Sequence, residues 1–122
     1  MVSEVVAQAV AAILLHDVGH GPFSHVFEEA GMLSNGMSHE DISLMMMEEI
    51  RDSFQTSKAH DVHDGKEIMN LAIAIFKDEY HKHFLHQLIS SQLDVDRLDY
   101  LCRDSFFCGV TEGSVASARI LK

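Results

Sequence analysis

At 122 residues, 47% apolar and 23% charged, the chain has the size and balance of one globular domain with a single core. Its net charge of −10 argues against the basic footprint that long nucleic acid requires. No run of about 18 uninterrupted apolar residues is present to span a membrane. Cys102 and Cys108 lack paired CxxC spacing and read as the reduced thiols of a cytoplasmic protein.

Proline occurs once and glycine seven times, so an all-α chain is expected. The stretch Met1–Leu15 carries Val5, Val6, Val10, Ile13 and Leu14 near helical spacing. Glu4 and Gln8 interrupt it, and with no basic start or cleavage site it does not read as a signal peptide. Gly19, Gly21 and Pro22 then break the helix. A short helix follows, with Phe23 and Phe27 four apart, and ends near Gly31. Ser38 caps the next helix, with Asp41 closing a short variant of the capping box. The apolar side of that helix runs Ile42, Met45, Met46, Ile50, and the run Met45-Met46-Met47 reads as core filling.

Residues Asp52–Gly65 are polar, show no period and are expected to form a loop. Helix is predicted again over Lys66–Phe76 and from about Tyr80 to Gln92. A last helix should start near Asp94 and stop at Gly109, a residue suited to the left-handed C-terminal position. Cys102, Phe106 and Phe107 on it are expected to be buried. Of the nine histidines, His81, His83 and His86 read as solvent-facing imidazoles.

Two segments carry chemistry. The first is HDVGHGPFSH, His16 to His25. An imidazole beside a carboxylate, just after an apolar helix, sets two kinds of metal ligand near one point, and His20 lies four residues on from His16. An isolated His-Asp pair has a plainer meaning, with His16 capping a helix C-terminus and Asp17 in a turn. Two further pairs, His60-Asp61 and His63-Asp64, follow no apolar helix and read as surface residues. The second segment is DVDRLDYLCRD, Asp94 to Asp104. Asp96, Tyr100 and Asp104 are four apart on one helical face, while Leu98 and Leu101 line another that would meet the core. On spacing alone, a solvated face explains the polar stripe better than a site does.

The two segments together, with His39-Glu40 between them, resemble the HD-superfamily phosphohydrolases of the deoxynucleoside-triphosphate triphosphohydrolase (dGTPase-like) type. The similarity extends through FLHQLISSQLDVDRLDYL, Phe84 to Leu101, and covers about Ala11 to Gly113. The resemblance implies an HD-domain helical bundle, with residues 1–122 a single partial domain. It implies a divalent metal (Mn, Fe, Mg, Ni or Zn) held by His16, Asp17 and Asp96. It gives catalytic roles to His20 and to His39 with Glu40 as its partner. It places His25 on phosphate or in proton transfer, Arg97 toward the triphosphate, and Tyr100 and Asp104 on the deoxyribose. The implied reaction releases a deoxynucleoside and tripolyphosphate, with dGTP the model substrate. The implied assembly is a homo-oligomer.

The chain departs from the family in three places. The family has a further histidine ligand upstream of the HD pair, and none of the 15 residues before His16 is histidine. The C-terminal helices that close the nucleotide pocket are not expected in a chain ending at Lys122, and Ala118-Arg119 stands where an Asp-Arg pair is usual. The domain is therefore expected to be truncated at both ends. Apolar faces left uncovered would favour self-association. Two alternatives stay open beside triphosphohydrolase action: a degenerate, inactive module serving oligomer or partner contacts, and hydrolysis of another phosphoester.

Overall fold

The computed structural model describes residues 2–33, 36–56, 62–92 and 94–111. Among the described residues six helices follow one another: α1 (Val2–Leu15), α2 (Ser24–Glu29), α3 (His39–Thr56), α4 (Val62–Phe76), α5 (Phe84–Gln87) and α6 (Val95–Cys108). No strand occurs among the described residues, so the fold is all-α. None of the helices is long and apolar enough to cross a membrane, as far as the described residues go. The chain divides into two compact units, Met1–His86 and Gln87–Lys122.

In the first unit α4 packs against both α1 and α3, and α2 touches α3. The buried residues of α4 are Met69, Ala72, Ile73 and Ile75, close to the three-and-four spacing of one helical face. Ala9 and Ala12 are the buried positions of α1, and small side chains there permit close approach to α4. On α3 the fully buried residues are Ser43 and Met47, so one member of the methionine run fills core while Met45 and Met46 are exposed. Val6, Val10 and Leu14 form an exposed apolar line along α1 at four-residue spacing.

Local chemistry sets most of the helix ends. The Ser38 hydroxyl accepts the Asp41 amide at 3.1 Å, and the Asp41 carboxylate accepts the Ser38 amide at 2.8 Å, a reciprocal cap on α3. The Ser38 backbone amide first, and then the Ser38 hydroxyl, which donates to the same carboxylate oxygen at 2.9 Å, hold the Asp41 carboxyl below its ordinary pKa. At the far end of α2, Gly31 takes a positive φ of 63°, and the Met32 amide returns to the Phe27 carbonyl at 2.9 Å. Helix α4 ends in the same motif with Asp78 at φ 57° and the Glu79 amide on Ala74 O at 2.8 Å.

Several sequence expectations are corrected. The loop expected over Asp52–Gly65 is shorter, because α3 runs to Thr56 and α4 starts at Val62. Gly65 lies against the Phe54 ring, where an added Cβ would come within 2.9 Å. That contact favours helix where residue propensity does not. His60 and Asp61 lie outside the described residues, as do the side chains of His63 and Asp64. The helix expected over Tyr80–Gln92 shrinks to α5. Of its three histidines, His81 and His83 are exposed, while His86 is half-buried with Nδ1 3.1 Å from the Ile75 carbonyl.

In the second unit Asp94 caps α6, accepting the Arg97 amide at 2.7 Å, and Gly109 ends it at φ 67°. Leu98, Leu101 and Ser105, spaced three and four apart, form its least exposed stripe. Phe107 falls on the opposite side and Phe106 about a quarter-turn away. Both are therefore about 80% exposed rather than core. Cys102 is likewise exposed.

Candidate metal centre

The site begins where α1 ends. The chain leaves Leu15 through a turn over residues 16–19 that brings Gly19 against the start of α3. The Gly19 amide donates to the buried Ser43 hydroxyl at 2.9 Å. A Cβ at position 19 would collide with the His39 carbonyl oxygen and the Ser43 amide nitrogen. Only glycine allows this approach, and the approach brings His20 over His39. Their rings stack with centroids 3.9 Å apart and planes 20° from parallel. His25 meets both edge-on, at 5.0 Å from His20 and 5.2 Å from His39.

Asp17 serves both neighbouring imidazoles. Its Oδ2 lies 3.3 Å from His16 Nε2 and its Oδ1 lies 3.4 Å from His20 Nε2. The other nitrogen of each ring has an internal partner. His16 Nδ1 lies 2.6 Å from the Ile13 carbonyl, His39 Nδ1 lies 2.7 Å from Glu28 Oε1, and His20 Nδ1 pairs with the Ser24 hydroxyl. Anchoring Nδ1 in this way orients an imidazole and presents Nε2 as the ligand atom, as in protein metal sites. The plainer meaning of His16, a cap on the end of α1, therefore holds at its Nδ1 and leaves Nε2 beside Asp17.

Glu28 was not singled out from the sequence. It sits one turn along α2 from His25, and nothing in the sequence distinguishes it from the adjacent Glu29. Its Oε1 accepts both the amide and the ring N–H of His39, at 2.5 and 2.7 Å, and its Oε2 lies 3.7 Å from His25 Nδ1. The His39 amide is one of the unpaired donors at the start of α3, where a carboxylate is favoured. The Glu28 carboxyl is held below its ordinary pKa, first by that amide and then by the ring. Glu28, and not the exposed Glu40, is thus the carboxylate on His39.

Asp17, His20 and His39 each offer a ligand atom within 4.8 Å of the others. His25, Glu28 and His39 form a second such group. The two share His39, whose Nδ1 is committed to Glu28, so its Nε2 is the nitrogen left for a cation. That favours the group containing Asp17, with two imidazoles and one carboxylate, a donor set suited to first-row divalent metals. Ser24 begins α2 just after Phe23, which adopts a left-handed φ of 56° while remaining exposed. A bulky residue in that region is strained, by roughly 1–3 kcal/mol, and this conformation leads the chain into the helix that carries Ser24, His25 and Glu28.

The remaining candidates lie on α6 in the second unit. Asp96, Arg97, Tyr100 and Asp104 are all exposed. Arg97 Nη1 donates to the Gln92 carbonyl at 3.1 Å, and Arg103 pairs with Asp99 one turn earlier.

Imidazoles and a carboxylate gathered at one corner of an all-α fold form a group that could hold a metal ion, which points to the helical domains built around such corners. Comparison with known proteins makes this specific: the HD domain family matches residues 3–104, and the chain belongs to it. An uncharacterized Bacillus subtilis protein, YwfO, is 40% identical over 113 residues, 93% of this chain and 24% of that protein. The Dictyostelium discoideum homologue of deoxynucleoside triphosphate triphosphohydrolase SAMHD1 is 36% identical over 102 residues, 79% of this chain and 20% of that one. The crystal structure of a phosphohydrolase from Bacteroides thetaiotaomicron superposes with a TM-score of 0.73 at 56% identity, over 98% of this chain and 26% of that one. The chain thus spans about a quarter of the length of these relatives.

Proposed function

We propose that this chain forms the metal-binding part of a phosphohydrolase acting on deoxynucleoside triphosphates. The observation that carries it is the grouping of Asp17, His20 and His39 within 4.8 Å, with His20 and His39 anchored through Nδ1. The relatives named as phosphohydrolase and as triphosphate triphosphohydrolase support the reaction class. A bound divalent cation would supply Lewis acidity toward a phosphoryl oxygen and would lower the pKa of a coordinated water.

Asp17, with His16 and His20 on either side, would hold the cation. His39, oriented by Glu28, presents its Nε2 to the site, and the exposed His25 beside it contacts phosphate. Imidazole is suited to proton transfer near neutral pH. Hydrolysis at the α-phosphorus breaks its bond to the 5′ oxygen. The oxygen of water stays with the tripolyphosphate, and the 5′ oxygen leaves protonated on the deoxynucleoside. By the family resemblance, Asp96 is a further metal ligand, Arg97 meets the triphosphate, and Tyr100 and Asp104 meet the deoxyribose.

Metal analysis of the purified chain, with a Mn²⁺ titration of wild type beside Asp17→Ala, is the first experiment. Stoichiometric metal that the variant loses is the expected result. Tripolyphosphate released from dGTP is then the expected product. Orthophosphate alone would exclude triphosphohydrolase action, and no specific metal in wild type would turn the assignment toward an inactive helical module.

A further inference from the structure

We propose that Ser43 is a positioning residue whose hydroxyl fixes how the turn carrying His16 and Asp17 stands against the helix start carrying His39. It deepens the proposed function, on which only the metal-binding outcome below depends. Three polar side chains are buried among the described residues, those of Ser24, Ser43 and Ser105. Ser24 and Ser105 bond within five residues of themselves, to His20 and to the Val110 carbonyl. Ser43 instead reaches across 24 residues, where its hydroxyl accepts the Gly19 amide at 2.9 Å.

Ser43 lies inside α3, where serine favours helix less than alanine does, and it is fully buried. Neither helix propensity nor hydrophobicity accounts for a hydroxyl there, and the Gly19 amide does. Gly19 is itself buried. Without the hydroxyl its N–H would be a donor shut away from water, a cost the chain escapes if the turn lifts off α3 and admits water.

The bond lands one turn along α3 from His39, on the same face, and the fully buried Met47 continues that face into the core. The anchor for the turn is thus continuous with the best-packed part of α3. The turn is closed by its own bonds, with the Val18 amide on the Leu15 carbonyl at 3.2 Å and the His20 amide on the Asp17 carbonyl at 3.0 Å. It therefore moves as one piece, pinned at Gly19. Slack at that pin displaces His16, Asp17 and His20 together relative to His39, and misplacement on the order of 1 Å is enough to impair a reacting geometry.

NMR of the whole metal-free chain tests this through amide hydrogen exchange and through Overhauser contacts between histidine ring protons. Wild type is compared with Ser43→Ala and with Ile75→Val, a truncation in the core of α4 that controls for lost stability. Ser43→Ala should speed exchange of the Gly19 amide by about 10-fold beyond any change in the amides of α4, as loss of one hydrogen bond implies. It should also weaken the contact between the His20 and His39 rings, and Ile75→Val should keep both signals. With Mn²⁺ added, affinity should fall about 10-fold in Ser43→Ala, as for other changes outside the ligand set, and hold in Ile75→Val. A Gly19 amide that exchanges freely in wild type overturns the proposal without any variant. Equal effects of the two variants on the ring contact also overturn it. So does a ring contact or a Mn²⁺ affinity left intact when Ser43→Ala releases Gly19, because the hydroxyl would then serve stability alone. If wild type binds no Mn²⁺, the metal-centre reading fails, and the metal-free exchange and ring contacts still decide the role of Ser43.

Discussion

The corner between α1 and α3 and the exposed face of α6 both carry residues that suggest chemistry, yet they are built differently. At the corner, His16, His20 and His39 each have one ring nitrogen tied to a partner within the fold. On α6, Asp96, Tyr100 and Asp104 stand exposed, and the bonds of Arg97 and Arg103 go to neighbours in the same segment. A preorganised cluster limits its side chains to a few geometries before any ligand arrives, and such ordering favours metal affinity. A solvated stripe offers the right groups without that ordering. Sequence spacing displayed the α6 stripe and was silent on the anchoring at the corner.

The comparison breaks most readily at Asp17. Replacing it with alanine removes the carboxylate that lies beside His16 and His20, and metal affinity measured by titration should fall more than about 100-fold, beyond what an outer-shell change costs. Metal retained at wild-type affinity would place the centre elsewhere. Glu28→Gln keeps the shape but weakens the hold on His39, so a loss of about 10–100-fold in affinity is expected. Glu40→Gln, the exposed neighbour, should change affinity little. Equal losses from the two would remove Glu28 from its special position.

Gly19→Ala tests the packing itself. Forcing a methyl group against the α3 backbone should lower stability by about 1–3 kcal/mol in chemical denaturation, as overpacking does. It should also separate the stacked pair of His20 and His39, whose contact depends on that approach. Ser38→Ala, at the cap of the same helix, should cost about 1 kcal/mol. Its pH dependence follows from Asp41, whose folded pKa is depressed. The stabilisation is present above the unfolded-state pKa and lost as pH falls through the folded one. The acid limb of the stability profile should therefore flatten in Asp41→Asn. The smallest effect is expected on α6: Asp96→Asn should leave stability within about 0.5 kcal/mol. A loss of metal affinity in that variant would support the ligand role that the resemblance gives Asp96, and an unchanged affinity would remove it.

Much of the helical framework was legible because helix ends are written in short-range chemistry. Ser38 with Asp41, Asp94 with the Arg97 amide, and Gly31 and Gly109 at positive φ all act within a few residues. The ends that were misjudged depended on distant partners or on unmarked residues. Helices α3 and α4 reach into the polar stretch beside the Phe54–Gly65 contact, and α4 closes on a left-handed Asp78 where glycine would have been the clearer signal. The burial assigned to Phe106 and Phe107 came from residue type, whereas the half-buried stripe of α6 follows the three-and-four spacing of Leu98, Leu101 and Ser105.

By itself the sequence determined an all-α chain, the capped starts of α3 and α6, and the string His16 to His25 with its family resemblance. These depend on neighbours in the chain, whose separation is set by helical geometry. Only the tertiary structure decided that Glu28 holds His39 across 11 residues and that Gly19 docks on Ser43 across 24. Such pairings arise where α2 and the turn after α1 meet the start of α3, and which side chains face one another there is set by packing and not by spacing along the chain.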